Sequence, residues 1–147
     1  MVTWYTNTLL VVGPKEDTQR FETAVLPVTK KALKTALSLR SLSPGQETYA
    51  RHVQRWSTPW DIRARLVAQS PDCLDYTFKS AVAPPLRWLR TASVSFPTLH
   101  FVLRYESTAA RISGIAQARG GIGDDAQNRP GRFFFLRRTS VRQLSGL

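Results

Sequence analysis

Two neighbouring segments that alternate between apolar and other residues constrain the fold of this chain most. Residues 60–69 and 73–82 both have this pattern, and a Ser-Pro-Asp turn at 70–72 separates them. A period of two is typical of a half-buried β-strand. The pair therefore predicts an antiparallel hairpin whose core-facing side chains are Ile62, Ala64, Leu66, Leu74, Tyr76 and Phe78.

Two further segments have the composition of strands. Residues 3–12, TWYTNTLLVV, are rich in β-branched and aromatic residues and stop at Gly13-Pro14, a typical strand ending. Residues 98–105, TLHFVLRY, place leucines and aromatic residues on one face and His100, Val102 and Arg104 on the other. Each segment predicts one strand.

Three segments have helical signals. Pro14 followed by two acidic residues suits a first turn, and apolar residues recur at helical spacing as far as Val25. Residues 28–42 place an apolar stripe opposite three lysines, which predicts an inserted basic helix. A third helix is predicted from the prolines at 84–85 to Phe96. Residues 46–59 have no clean period and are predicted to be mostly loop.

The order of these elements predicts an α+β sandwich of the βαββαβ type with one inserted helix. Residues 111–119 and 131–138 predict an extra C-terminal hairpin around a glycine-rich loop at 120–125. A chain of 147 residues with 42% hydrophobic content can bury one continuous core. We therefore expect a single domain over 1–147, with a variable basic insertion at 28–50 and an Arg-rich segment at 129–147.

The charge of the chain predicts an anionic partner. Twenty-one Lys and Arg against ten Asp and Glu give a formal net charge of +11 at pH 7. The excess is spread over both halves, so it belongs to the fold as a whole, and it sharpens in residues 129–147, which hold five arginines and no acid. Such a surface attracts polyanions, which leaves nucleic acid, an acidic protein surface and anionic lipid as candidates.

Strand alternation predicts where the cations lie. If the apolar strand residues face the helices, then Arg63, Arg65, Lys79, His100 and Arg104 project from the opposite face of the sheet, and we expect no balancing acids there. This face is the first candidate contact surface. The other candidate contacts form a helix patch and a C-terminal set: Lys30, Lys31, Lys34, Arg132, Arg137, Arg138 and Arg142.

The four tryptophans could stack on nucleic-acid bases. Trp4 and Trp60 begin predicted strands and Trp88 lies on a predicted helix, which favours packing in the core or at its rim. Trp56 lies in the predicted loop. It is therefore the tryptophan that we predict to stack.

Patterns that carry catalysis are missing from the sequence. Cys73 is the only cysteine, which excludes an intramolecular disulfide and disfavours a cysteine-based zinc site. His52 and His100 lack metal-ligand spacing, and the glycines at 120–123 lack both phosphate-loop patterns. The serines do not form a G-x-S-x-G elbow. We therefore expect a protein without catalytic residues, metal or cofactor.

The start of the sequence and its hydropathy give an expectation about location. Residues 1–5 lack the features of a secretory signal, and no stretch approaches 18 uninterrupted apolar residues. We expect a soluble, cytoplasmic protein that does not bind membranes.

Four segments resemble motifs of the Api92-like, or YubB-like, proteins. Residues 4–13 are similar to the family's W-x-x-N-x-L-x-V-x-G opening, and the other three segments, at 55–61, 78–85 and 96–106, follow in matching order. The resemblance implies a ferredoxin-like domain encoded by a plasmid, phage or other mobile element. It implies no catalytic residue. Three positions depart from the family's pattern: Ser57, Pro59 and Val82.

These observations predict a non-catalytic basic protein of a phage- or plasmid-type mobile element in a prokaryotic cell. Its partner would be nucleic acid or a host nucleoprotein complex, bound through phosphate contacts. The alternative is an anti-CRISPR-type inhibitor that binds a host effector protein directly. The oligomeric state is left open.

Overall fold

The fold is known from a computed structural model that describes residues 2–27, 35–45, 47–129 and 132–138, with the backbone alone for 129 and 132–138. The elements along the chain are β1 (Trp4–Val12), α1 (Lys15–Ala24), α2 (Leu39–Leu42), α3 (Tyr49–Trp56), β2 (Arg65–Ser70), β3 (Cys73–Ala81), α4 (Leu86–Ser95), β4 (His100–Ser107), β5 (Ile112–Arg119), β6 (Ile122–Arg129) and β7 (Arg132–Arg138).

The strands form one antiparallel sheet with the order β2-β3-β1-β4-β5-β6-β7. The interior strand β1 pairs along its whole length with β3 and along most of its length with β4. The predicted hairpin is confirmed as β2 and β3. Helices pack on one face of this sheet. The predicted α+β class is therefore confirmed.

Alternation along the strands places the core on the helix side of the sheet. Phe21 of α1 is at its centre, with its ring centroid 5.3 Å from those of Phe96 and Phe101 in edge-on geometry. This edge-on arrangement is the one that aromatic quadrupoles favour. The predicted core residues of the hairpin are buried, except Leu66, which is half-buried.

The helix predicted over 28–42 is wrong in the part that the structure describes. Only Leu39–Leu42 is helical there, whereas Leu37 forms an isolated antiparallel bridge with Ala64. The Ala36 amide donates to the Ala64 carbonyl at 2.8 Å. Pairing with a distant segment therefore prevails over the local helical period. Lys30, Lys31 and Lys34 lie outside the described residues.

The loop predicted over 46–59 is also wrong, because Tyr49–Trp56 forms α3. The hydroxyl of Thr48 caps this helix by accepting a hydrogen bond from the Arg51 amide at 3.2 Å. Ser57 ends it in the left-handed region, with a φ of 72°. A threonine at the N-cap was the sequence signal for this helix.

Two strand boundaries differ from the prediction. β2 begins at Arg65, and its register shifts between Leu66 and Ala68, so residues 60–64 precede the strand. The loop predicted at 120–125 is only the turn at Gly120 and Gly121, which have φ values of 58° and 84°. Positive φ at both turn positions favours a tight hairpin, so Ile122 already belongs to β6. The sheet thus gains three C-terminal strands instead of the predicted two.

Within the described ranges, the helices are all too short or too polar to cross a membrane.

Candidate binding surface on the open sheet face

The sheet face opposite the helices, called the open face here, carries the predicted strand cations. On β1, Thr6 pairs with Lys79 of β3, and Thr8 pairs with Arg104 of β4. Thr8 also pairs with Thr77 of β3, which in turn pairs with Arg65 of β2. Directly opposed residues share one face of a sheet. Arg65, Lys79 and Arg104 therefore project together and are exposed, and Arg63 is exposed just before β2. Their placement is the one that alternation predicts.

The expectation that this face holds no acids is wrong. Glu106 pairs with Thr6, Asp75 with Leu10, and Asp124 with Gln117, so all three carboxylates belong to the open face. In the part of the chain that the structure describes, none of them forms an ion pair with Arg63, Arg65, Lys79 or Arg104. Glu106 and Asp124 lie on β4 and β6, and Asp75 lies near the end of β3 that is farther from Lys79. Three of the four cations, Arg63, Arg65 and Lys79, lie on β2 and β3 or just before β2.

Two concavities run along the open face. One, of about 470 Å³, is lined by Trp4, Thr6, Arg63, Arg65 and Lys79 among others. The other, of about 520 Å³, is lined by Thr6, Thr8, Arg104, Glu106 and Ile115 among others. They share Thr6, so they form a continuous surface along β1 from the cationic end of the sheet to Arg104.

Asp61 lines the first concavity, but its carboxylate is held by the fold. It accepts hydrogen bonds from the amides of Leu39 at 2.7 Å and Ile62 at 2.8 Å, and from the Ser38 hydroxyl. These bonds give a partner to the first backbone amide of α2, which has none within the helix, and they fix the segment that follows Trp60. This carboxylate is a structural cap.

The prediction that Trp56 stacks on a base is wrong, because its side chain is 0% exposed. Its indole N–H donates to the Ser43 carbonyl at 3.0 Å, and its ring stacks on His52 with centroids 4.2 Å apart. His52 is itself buried, with Nδ1 2.6 Å from the Pro59 carbonyl. The pair lies on the inner side of α3, where no base can reach the indole.

Three other aromatic side chains form an exposed group, called the aromatic cluster here: Trp4, Trp60 and Tyr49. Their exposed fractions are 50%, 45% and 57%. The centroid of Trp60 lies 6.2 Å from that of Trp4 and 6.4 Å from that of Tyr49. We predicted Trp4 and Trp60 to pack in the core or at its rim, yet about half of each is open to solvent. Trp88, by contrast, is buried.

Alternation along β1 was the sequence signal that Trp4 lies on the open face. Tyr5, Leu9 and Val11 are buried, so the even-numbered positions, including Trp4, belong to the open face. Trp60 had no such signal, because its position depends on the end of α3 and on the contacts of Asp61.

The electrostatic environment of Cys73 disfavours a thiolate nucleophile. Burial, together with the carboxylates of Asp72 and Asp75, raises the pKa of the Cys73 thiol. A raised pKa keeps the thiol protonated at neutral pH. Over the described ranges, no three His, Cys, Asp or Glu side chains cluster as metal ligands.

The strand that carries Arg132, Arg137 and Arg138 lies far from the β2 cations. Arg132, Arg137 and Arg138 belong to β7, of which the structure describes the backbone, and Arg142 lies outside the described residues. β7 and β2 are the two ends of the strand order, roughly 29 Å apart at about 4.8 Å per strand. The backbone therefore does not bring these two predicted contact sets together.

The comparisons with known proteins give one structural likeness. No family model matches the chain, and no curated protein matches it either. The fold is similar to the crystal structure of a protein api92 from Yersinia pseudotuberculosis, of the family model DUF1281, with a TM-score of 0.47 and 18% sequence identity. The similarity covers 64% of this chain and 34% of that one, so the chain spans about a third of that protein's length.

Proposed function

We propose that this chain is a non-catalytic binding protein that contacts the phosphates of nucleic acid, or of a nucleoprotein, through the open face. The observation that carries the proposal is a set of four exposed cations that form no ion pair with any residue the structure describes and that line or flank two adjoining concavities: Arg63, Arg65, Lys79 and Arg104. Cations that no carboxylate neutralises are available to replace the counterions of a phosphate backbone.

We also propose that the chain is a ferredoxin-like, Api92-like protein of a mobile element that acts in the cytoplasm. Two observations support the relation. The first four strands have the order β2-β3-β1-β4 and alternate with helices as βαββαβ, apart from α2 and α3. The four segments at 4–13, 55–61, 78–85 and 96–106 resemble the family's motifs in matching order.

A charge-matched pair of variants tests the binding surface. The first variant replaces Arg65, Lys79 and Arg104 with Gln. The control replaces three exposed cations that do not lie on the open face, Lys15, Arg51 and Arg90, with Gln, so both variants lose the same net charge. The measurement is affinity for DNA and RNA, single-stranded and duplex, at several salt concentrations.

The expected result is a loss of affinity confined to the open-face variant. Each phosphate contact removed should lower the slope of log affinity against log salt by about 0.7 to 0.9. The open-face variant should therefore lose roughly two to three units of slope, while the control keeps that of the wild type. Equal losses in both variants would show that net charge alone attracts nucleic acid. A wild-type chain that binds neither DNA nor RNA would refute the proposal.

A second candidate is an anti-defence inhibitor of the anti-CRISPR type that binds a host effector protein directly. The three carboxylates on the open face favour it, because charges of both signs complement a protein surface better than a phosphate backbone. A pull-down from nuclease-treated host lysate separates the two functions. A partner protein retained by the wild type and lost by the open-face variant would favour inhibition.

A further inference from the structure

We infer that the aromatic cluster is a base-stacking site and that the open face binds single-stranded nucleic acid in preference to duplex. The inference rests on the proposed function and specifies its ligand. Trp4, Trp60 and Tyr49 would stack on unpaired bases, while Arg63, Arg65 and Lys79, which line one concavity with Trp4, would contact the phosphates.

The aromatic residues of the chain divide sharply between core and surface. In the described part of the chain, the exposed aromatic side chains are Trp4, Trp60 and Tyr49, and the ring of Trp60 lies between the other two and contacts both. Exposed aromatic residues that serve no purpose would be scattered. A contiguous exposed aromatic group instead marks a contact site.

The hydrogen bonding of the indole N–H groups also distinguishes the buried tryptophans from the exposed ones. The buried residues Trp56 and Trp88 each donate to a backbone carbonyl, at 3.0 and 3.1 Å. Within the described residues, the N–H groups of Trp4 and Trp60 make no hydrogen bond. Their rings and polar edges are therefore both available to a ligand.

The neighbouring charges identify the chemistry of that ligand. Trp4 lines the same concavity as Arg63, Arg65 and Lys79. Thr6, the next residue on the same strand face about 7 Å along β1, pairs directly with Lys79. A strand of nucleic acid presents bases and phosphates side by side, so aromatic rings next to cations complement it. Duplex bases are stacked on each other and offer no free ring face to the cluster.

The backbone around the cluster is held by buried hydrogen bonds. The hydroxyl of Thr58, which is 0% exposed, donates to the Ala81 carbonyl at 2.6 Å and ties the segment before Trp60 to the end of β3. The Val82 amide donates to the Thr3 carbonyl at 2.6 Å and ties the start of β1 to the same place. The rings are thus positioned before a ligand arrives, which reduces the entropic cost of binding.

The experiment compares ring removal with removal of apolar surface elsewhere. Trp4→Leu, Trp60→Leu and Tyr49→Leu remove one ring each, and Trp60→Phe keeps an aromatic face. Leu26→Ala and Val94→Ala are controls, because both residues are exposed hydrophobics on the helix side. The probes are single-stranded poly(dT), poly(U) and a DNA duplex, and circular dichroism verifies the fold of each variant.

The expected loss for each Trp→Leu variant is about 5- to 150-fold for the single strands, the range given by one stacked base. The same variants should bind duplex within about twofold of the wild type, and Trp60→Phe should retain most of the single-strand affinity. Addition of poly(dT) should quench tryptophan fluorescence in the wild type. A Trp4→Leu/Trp60→Leu double variant, which keeps only the two buried indoles, should show almost no quenching.

Several results would overturn the inference. If the leucine variants bind single strands normally while the Arg65, Lys79 and Arg104 triple variant does not, stacking is refuted and the proposed function stands. Equal losses for single strands and duplex would refute the preference. A dimer in sedimentation velocity that becomes monomeric in the leucine variants would show that a second copy of the chain covers the cluster. Failure of the wild type to bind any probe would refute the proposed function itself.

Discussion

The hydroxyl of Tyr105 on β4 donates a hydrogen bond to the carboxylate of Asp125 on β6, across the strand that separates them. This contact passes Gly114 on β5, which pairs with Tyr105. A Cβ at Gly114 would overlap the phenol ring of Tyr105 and would approach the Ala126 carbonyl oxygen at 2.8 Å. The absent side chain of Gly114 therefore makes room for the link between β4 and β6.

We expect Gly114→Ala to lower the free energy of unfolding by about 1 to 3 kcal/mol, because the added methyl group must displace the phenol or the backbone. Urea denaturation of the variant measures the change. Gly120→Ala is an informative comparison, since a Cβ at Gly120 meets nothing within 4 Å but suffers from its φ of 58°. A Gly114→Ala variant as stable as the wild type would show that Tyr105 can move without cost.

The stability of the protein should fall in alkaline solution as tyrosines ionise. Burial raises the pKa of Tyr105, and its hydrogen bond to Asp125 raises that pKa further. A phenol whose pKa is higher in the folded than in the unfolded chain stabilises the fold fully below the unfolded value of about 10, and this contribution is lost as pH rises further. We expect the free energy of unfolding to decrease above about pH 10 and the decrease to be shallower in Tyr105→Phe.

Tyr76 provides a contrasting phenol. Its side chain is buried, and among the described residues its hydroxyl has no hydrogen-bond partner. A buried hydroxyl without a partner costs about 1 to 3 kcal/mol. Tyr76→Phe should therefore raise the free energy of unfolding by about 1 kcal/mol, whereas Tyr105→Phe should lower it. Urea denaturation at pH 7 compares the two variants, and a loss of stability in Tyr76→Phe would show that its hydroxyl is satisfied.

Truncation of Trp56 should destabilise the protein much more than truncation of Trp60. Trp56→Ala removes a fully buried ring and its hydrogen bond to Ser43, which should cost about 3 to 5 kcal/mol. Trp60→Ala removes a ring that is 45% exposed and should cost much less. Thermal denaturation measures both. Similar losses would contradict the assignment of one tryptophan to the core and the other to the surface.

The elements that the sequence predicts correctly are those whose apolar residues repeat with one period and end at a turn signal. β1, β3 and β4 alternate cleanly, so their core faces could be inferred residue by residue, whereas β2 is exposed along most of its length. The same alternation also places Trp4 and Asp75 on the open face. The open-face residues that lie on these strands could thus be predicted from the alternation of odd and even positions.

The errors arise where distant residues determine local structure. The segment before α2 is extended because Leu37 pairs with Ala64, and the start of α2 is capped by Asp61, which lies 22 residues along the chain from Leu39. A local pattern of apolar residues gives no indication of contacts between segments so far apart in the chain. The incorrect expectation that Trp56 is exposed has the same origin, because its burial depends on α3, a helix whose only local sign was Thr48.

Val82 adopts a φ of 73°, which lies in the region that favours glycine. The Ala83 amide donates to the Ala81 carbonyl at 2.8 Å, so Val82 is the central residue of a γ-turn. A β-branched residue in this region is strained by about 1 to 3 kcal/mol, whereas glycine adopts it freely. Val82 is also 43% exposed, so its replacement gives up little buried area.

Val82→Gly should therefore raise the free energy of unfolding by about 1 kcal/mol, since the relief of strain exceeds the added entropy of the unfolded chain, about 0.5 to 1 kcal/mol. Val82→Ala keeps a Cβ and should show a smaller gain. Val94→Gly, an exposed valine within α4, is the control and should lose about 0.5 to 1 kcal/mol. Urea denaturation measures all three variants, and a Val82→Gly variant destabilised as much as the control would show that the turn is not strained.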